Sequence, residues 1–383
     1  MSCRAEQLLT LGQSVWLDFI RRGPLVSGEF ERQVREDGVV GVTSNPTIFQ
    51  QAIAKSTDYD TALATRIAKG LSGEALFESL AIEDIQMACD RLRAVYDRSA
   101  GMDGRVSIEV SPRLADDGPG ALAAAKRLHA AVARANVMIK IPATTAGLPA
   151  ITGAIAAGIS VNVTLIFSLA RYRQVMEAYL AGLEQLAASG GNLASVRSVA
   201  SFFISRVDSK LDAAIEQRAA ALPAGSPDRA ELASLAGQAA IANARIAYAE
   251  FERVTASPRF AALRAKGAHV QRPLWASTST KNPAYRDVLY VEELIGPDTV
   301  NTMPPATLVA YNDHGVLEAR IRKDVPAARM LFVRLPQLGV PIDALIDQLE
   351  GEGVLAFAKS YDDLLGALEA RVREMSPQRG ASA

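Results

Sequence analysis

Val137-Met138-Ile139-Lys140-Ile141 and, a short way on, Ile159-Ser160-Val161-Asn162-Val163-Thr164-Leu165 are β-branched runs whose side chains alternate between two faces. The first run divides into Val137, Ile139, Ile141 and Met138, Lys140; the second into Ile159, Val161, Val163, Leu165 and Ser160, Asn162, Thr164. Outward from there, Val106, Ile108 and Val110 alternate with Ser107 and Glu109, and Val15, Leu17 and Phe19 with Trp16 and Asp18. Each run offers an apolar face to covering helices and a polar residue, near its C-terminal end, to something else. In a barrel of parallel strands that something is the interior mouth, where active sites sit.

The rest of the chain repeats the pattern. Strands are expected at 14–19, 39–42, 105–110, 137–141, 159–165, 198–203, 270–276 and 299–303, about eight in all, the number that closes a barrel. Alanine-rich helical patterns lie at 119–134, 169–188, 206–221 and 229–254, with a loop at 223–228 between the last two. After the final strand come 304–312, 324–335 and a long pattern from 342 to about 374. The reading is an α/β protein, a (β/α)8 TIM barrel over about 14–303, with additional C-terminal helices at 304–375 and a disordered tail at 376–383. A barrel takes ~250 residues and no Gly/Ser-rich linker marks a boundary, so residues 1–383 read as a single domain. A doubly wound open sheet is the competing architecture, but no Gly-x-Gly-x-x-Gly or Walker-type loop supports a nucleotide site.

Composition excludes other classes. The 383 residues carry 41 Lys+Arg against 42 Asp+Glu, a net charge of −1, which offers no basic field for a nucleic-acid backbone. Nearly all of those charges are expected on solvated helix faces. Cys3 and Cys89 stand far apart, so neither a disulfide framework nor a zinc ribbon is expected, and a reducing cytoplasm fits. His129, His269 and His314 are scattered singly, without the i, i+4 partner of a helical zinc site; no metal and no cofactor is expected. The stretch 141–170 has no charged residue, yet Pro142, Gly147, Pro149, Gly153, Gly158 and Asn162 break it into pieces too short to cross a bilayer. No signal peptide is read at the start. The oligomeric state stays open, because alanine-rich outer helices suit a surface and an interface equally.

The chemistry starts at Lys140. An ammonium buried in a parallel sheet costs several kcal/mol unless paired, and such a group often sheds its proton to become a nucleophile. Alone, a lysine there is more often an edge-strand residue with its charge in water. Asn162 and Thr164 alone suit a half-exposed antiparallel strand, and Glu109 and Asp18 alone suit solvated strand ends. Together, a lysine, two carboxylates and an Asn/Thr pair at neighbouring strand ends suit covalent imine chemistry: the amine attacks a carbonyl and the carboxylates move protons. Two further places suit a phosphorylated ligand. Ser201-Phe202-Phe203-Ile204-Ser205-Arg206 closes a strand and opens a helix, and Ser277-Thr278-Ser279-Thr280-Lys281-Asn282-Pro283 closes the next. Each also reads as an ordinary helix cap.

Four motifs bring the chain close to a known family: Gly41-Val42-Thr43-Ser44-Asn45-Pro46-Thr47-Ile48-Phe49, Ser107-Ile108-Glu109-Val110, Ile139-Lys140-Ile141-Pro142-Ala143-Thr144 and Val161-Asn162-Val163-Thr164-Leu165-Ile166-Phe167-Ser168. With them the sequence resembles transaldolase, from about Val15 to Leu365, and its length and STKNP segment resemble the longer-chain bacterial branch. The resemblance implies a class I aldolase-type barrel of the non-oxidative pentose phosphate pathway. It would move a dihydroxyacetone unit from sedoheptulose 7-phosphate to glyceraldehyde 3-phosphate, giving erythrose 4-phosphate and fructose 6-phosphate. It also implies that Lys140 forms the Schiff base, that Glu109 and Thr164 hold the water of imine formation, and that Asp18 is the acid/base of carbon–carbon cleavage. Asn45 and Asn162 would bind the dihydroxyacetone moiety, and Ser201 and Arg206 the phosphate. Lys281 departs from the pattern, standing where many transaldolases carry an arginine; it lacks the bidentate fork.

Two rivals remain. A fructose 6-phosphate aldolase would share barrel and lysine but is expected to carry glutamine in place of Glu109, and Phe203 also looks like the transferase. A non-catalytic sugar-phosphate-binding protein would lack the lysine or a carboxylate.

Overall fold

The computed structural model describes residues 3–375; the tail expected at 376–383 lies outside the described residues. In them eight parallel strands close into a barrel in sequence order: β1 (Gln13–Leu17), β2 (Gly41–Val42), β3 (Arg105–Glu109), β4 (Val137–Pro142), β5 (Val161–Ile166), β6 (Ser198–Phe203), β7 (Gln271–Ala276) and β8 (Thr299–Met303). Strand β8 pairs back onto β1 from Gln13 against Thr299 to Leu17 against Met303, so no strand is left as an edge and the open sheet is excluded. The apolar faces of β4 and β5 are fully buried, as a parallel sheet covered by helices requires.

Some local expectations are corrected. Strand β2 keeps only two residues, and Gly41 is required there because the Trp16 indole lies 2.6 Å from where a Cβ would stand. The alternation in β5 fails at Leu165, which takes a φ of +60° while the ladder to β6 shifts between Val163 and Ile166. Such a bulge bends the strand beside Thr164 at the barrel rim. The helix expected over 229–254 is two helices, Pro227–Leu235 and Ala239–Thr255, parted where Gly237 adopts a φ of +72°. Between β2 and β3, where the sequence reading assigns no helix, four occur: Pro46–Ala54, Asp60–Ala68, Gly73–Arg91 and Arg93–Arg98.

The expectation that nearly all charges lie on solvated faces has exceptions away from the cavity. Arg22, Asp84, Asp103, Arg105, Asp208, Asp212, Arg272 and Glu292 are buried. At the N-terminal ends of the strands, Ser14 donates to Asp103 (2.8 Å), and Arg272 reaches Asp103 (3.2 Å), the Ser14 hydroxyl (2.6 Å) and the Thr299 carbonyl (2.6 Å). The barrel floor is therefore closed by a buried ion pair, while its C-terminal end holds the cavity.

The C-terminal helix, Ile342–Met375, packs along that end. It is held by Arg171 to Glu350 (2.8 Å), Thr47 to Ser360 (2.9 Å), Tyr361 to Glu74 (2.7 Å) and Arg371 to Asp60. No helix among the described residues is long and apolar enough to cross a membrane.

Candidate active site

Register brings the site together. Glu109 on β3 pairs with Lys140 on β4, Lys140 with Asn162 on β5, and Pro142 with Thr164, so residues on one rung share one face of the barrel wall. Lys140 is 4% exposed; its Nζ donates to the Ser44 carbonyl (3.0 Å) and lies 3.3 Å from Glu109 Oε2. The distance makes an ion pair, but Oε2 has no well-aligned donor, and the buried Thr164 Oγ1 has no hydrogen-bond partner either. Two unspent polar atoms beside a buried amine are what a transient water or hydroxyl needs.

A cavity of about 350 Å³ opens above this rung. Asp18, Asn45, Lys140, Thr164, Ser201, Arg206 and Lys281 all line it. Glu109 and Asn162 do not line it but adjoin it: Glu109 through Lys140, and Asn162 through its Oδ1, which accepts from Ser201 (2.7 Å), and its Nδ2, which donates to Ser107 (3.0 Å). The Ser201 hydroxyl thus orients Asn162 and has only its acceptor side left. Asn45 caps the Pro46–Ala54 helix, its Oδ1 accepting from the Ile48 N–H (2.9 Å), which leaves its amide NH₂ for a ligand.

Burial pushes the Asp18 carboxyl above the ordinary carboxylate range, against the opposing pull of the Lys140 ammonium, the Thr43 hydroxyl and Lys281. Burial likewise raises Glu109, with Lys140 pulling the other way and Asp18 adding a smaller push. The Arg206 side chain makes no ion pair or hydrogen bond among the described residues; its guanidinium rests over the Phe203 (5.5 Å) and Phe357 (6.0 Å) rings, and burial lowers its pKa. A half-buried guanidinium with its donors free has the chemistry to take an anion. Lys281 is exposed and bonded to Ser279 (2.7 Å). Among the described residues no three His, Cys, Asp or Glu side chains gather as a metal site would need.

Sequence reasoning missed several participants. Thr43, quoted within a motif but given no role, donates to Asp18 Oδ1 (2.8 Å) and meets the Thr302 hydroxyl (2.7 Å). Its polar side chain at a strand end was a usable signal. Ser44 acts through its backbone carbonyl, which leaves no mark in a sequence. Phe357 on the C-terminal helix lies 5.8 Å from Lys140 Nζ, and only folding brings it there.

A family model described as transaldolase/fructose-6-phosphate aldolase matches residues 15–368. The chain is 50% identical to Transaldolase 1 of Streptomyces coelicolor, over 95% of this chain and 93% of that protein. It is 49% identical to the transaldolase of Frankia alni (96% and 97%) and 46% identical to Transaldolase 2 of Nostoc sp. (96% and 97%).

Proposed function

The chain belongs to the transaldolase/fructose-6-phosphate aldolase family, and from that premise we propose how its site works. It is a transaldolase of the non-oxidative pentose phosphate pathway, an enzyme acting on sugar phosphates through a lysine Schiff base. The donor is sedoheptulose 7-phosphate and the acceptor glyceraldehyde 3-phosphate, with erythrose 4-phosphate and fructose 6-phosphate as products. Lys140 attacks the donor ketone. Glu109, with Thr164, handles the water lost as the carbinolamine becomes an imine, giving up a proton that its burial keeps available. The protonated imine then draws electrons from the breaking carbon–carbon bond while Asp18 takes the proton from the adjacent hydroxyl. Asn45 holds the dihydroxyacetone hydroxyls through its free amide NH₂, and Asn162, whose Oδ1 and one N–H are taken by Ser201 and Ser107, has its second amide N–H to offer them. Arg206 takes the phosphate, with Lys281 as a second charge and Ser201 as a neighbour. The enamine must escape premature protonation, which suits a mouth covered by Phe357.

One observation carries this reading: a lysine amine and a carboxylate 3.3 Å apart, their side chains 5% and 6% exposed, inside a barrel mouth. We treat the chain as one domain, supported by the packing of the C-terminal helix on the barrel, and place it in the cytoplasm, supported by Cys3 and Cys89 standing as free thiols. The test is borohydride reduction in the presence of fructose 6-phosphate, followed by peptide mapping. The adduct is expected on the Lys140 peptide and should vanish in Lys140→Ala; no adduct, or one that persists in the variant, rejects the covalent reading. Transfer to erythrose 4-phosphate, compared with release of free dihydroxyacetone, separates transferase from aldolase.

A further inference from the structure

The helix after β6 (Ser205–Ala220) opens beside Arg206 and carries two buried carboxylates, Asp208 and Asp212, one turn apart on one face. Each receives one backbone N–H and one phenol. Asp208 accepts from the Ala240 N–H (2.7 Å) and the Tyr290 hydroxyl (2.8 Å); Asp212 accepts from the Gly237 N–H (2.8 Å) and the Tyr285 hydroxyl (2.7 Å). The Gly237 N–H comes from the break between the two helices after it and the Ala240 N–H from the first turn of the second; Tyr285 lies in the irregular segment that follows β7, and Tyr290 in the short helix Leu289–Glu293 just after that segment. Gly237 admits the joint: besides its φ of +72°, a Cβ there would sit 2.7 Å from the Tyr285 ring.

That segment, residues 277–288, has no helix or strand. Its near end is pinned, since the Ser205 N–H donates to the Ser277 carbonyl (3.1 Å), their hydroxyls meet (2.9 Å), and Thr278 donates to Asn301 (2.9 Å). Its middle bears Ser279 and Lys281 on the cavity, and its far end is tied by Tyr285 to the Ser205–Ala220 helix, which carries Arg206.

We propose that Asp212 and Tyr285, backed by Asp208 and Tyr290, are positioning residues: they hold the 277–288 segment against the Arg206 helix so that Arg206, Ser279 and Lys281 converge on one phosphate group. This rests on the reading of that end of the cavity as the phosphate site. An irregular segment left loose would be ordered anew at each binding event, and the entropy of ordering it would be subtracted from affinity. Phenol-to-carboxylate bonds are charge-assisted and directional, which suits them to fix a segment in one place. Burial raises the Asp208 carboxyl to about 6 even with both donors in place, so the carboxylate is kept despite its desolvation cost, where apolar packing would be cheaper.

Tyr285→Phe removes the donor and keeps the ring on Gly237. It is expected to raise KM for fructose 6-phosphate about three- to tenfold, part of the worth of one such hydrogen bond, since the bond acts on the phosphate only through the segment it holds. It should leave kcat within about twofold and leave kcat/KM for unphosphorylated fructose unchanged, a split that a merely structural lesion would not produce. Inorganic phosphate, tested as a competitive inhibitor, should weaken by the same factor, and Asp212→Asn should behave alike. Equal losses on fructose and fructose 6-phosphate, or an unchanged KM in both variants, overturns the proposal. Arg206→Gln separates the two levels. If it leaves KM for fructose 6-phosphate unchanged, the phosphate reading itself falls; if it raises KM while Tyr285→Phe and Asp212→Asn do not, only the clamp falls.

Discussion

A buried carboxyl group holds its proton longer than one in water, and Asp18 and Glu109 are both so placed. In its proposed role as a base, Asp18 works only when deprotonated, so its raised pKa predicts that activity falls as pH drops through a value above the ordinary ~3.9 of an aspartate. The acid limb of the kcat profile should lie above that value, and Asp18→Asn should remove both the limb and donor cleavage; an acid limb at the unperturbed position would contradict the role. Glu109→Gln keeps the shape and deletes the proton, and should slow imine formation about 100-fold or more, read from the rate of borohydride trapping. At this scale the alternation of β3, β4 and β5 was enough to single out Lys140, Glu109, Asn162 and Thr164, because side-chain direction follows position in a strand. It could not reveal that Thr43 grips Asp18 or that Ser44 offers Lys140 a carbonyl, since both depend on how one strand end meets another.

Among the elements, the C-terminal helix adds most to the site. Phe357 stands over both Lys140 and Arg206, giving the mouth an apolar wall that keeps water from the imine. Phe357→Ala should cost about 3 kcal/mol of stability by the emptied volume. It should also raise the release of free dihydroxyacetone relative to transfer, measured with and without acceptor; an unchanged ratio would place the wall elsewhere. The helix itself was legible as a long amphipathic pattern, but its docking was not, because helix periodicity says which face is apolar and not what covers it. The misread helix at 229–254 has a similar cause. One glycine in an alanine-rich pattern costs only about 1 kcal/mol, so the pattern runs on, and the break at Gly237 is decided by Asp212 accepting its N–H.

For the whole molecule, function and stability occupy opposite ends of the barrel. The cavity sits at the C-terminal ends of the strands, and the Arg272–Asp103 pair, 6% and 10% exposed, closes the N-terminal end. Removing one partner leaves the other charge buried, so Asp103→Ala should lose about 3–5 kcal/mol in denaturant unfolding. Its kcat/KM, measured well below the melting temperature, should stay within about twofold, because the damage lies at the far end from Lys140. A comparable loss of activity would show that the two ends are coupled. By itself the sequence determined where the strands lie, the closed barrel their number implies, the face each turns inward and Lys140 as the candidate nucleophile, since these follow from local periodicity and the chemistry of a lysine set among apolar neighbours. The tertiary structure alone decided which charges are buried, the register in which β8 meets β1, that Phe357 roofs the amine, and that Asp212 and Tyr285 meet. Those outcomes are contacts between segments far apart in the chain, and no local pattern encodes a partner that only closure of the barrel brings within reach.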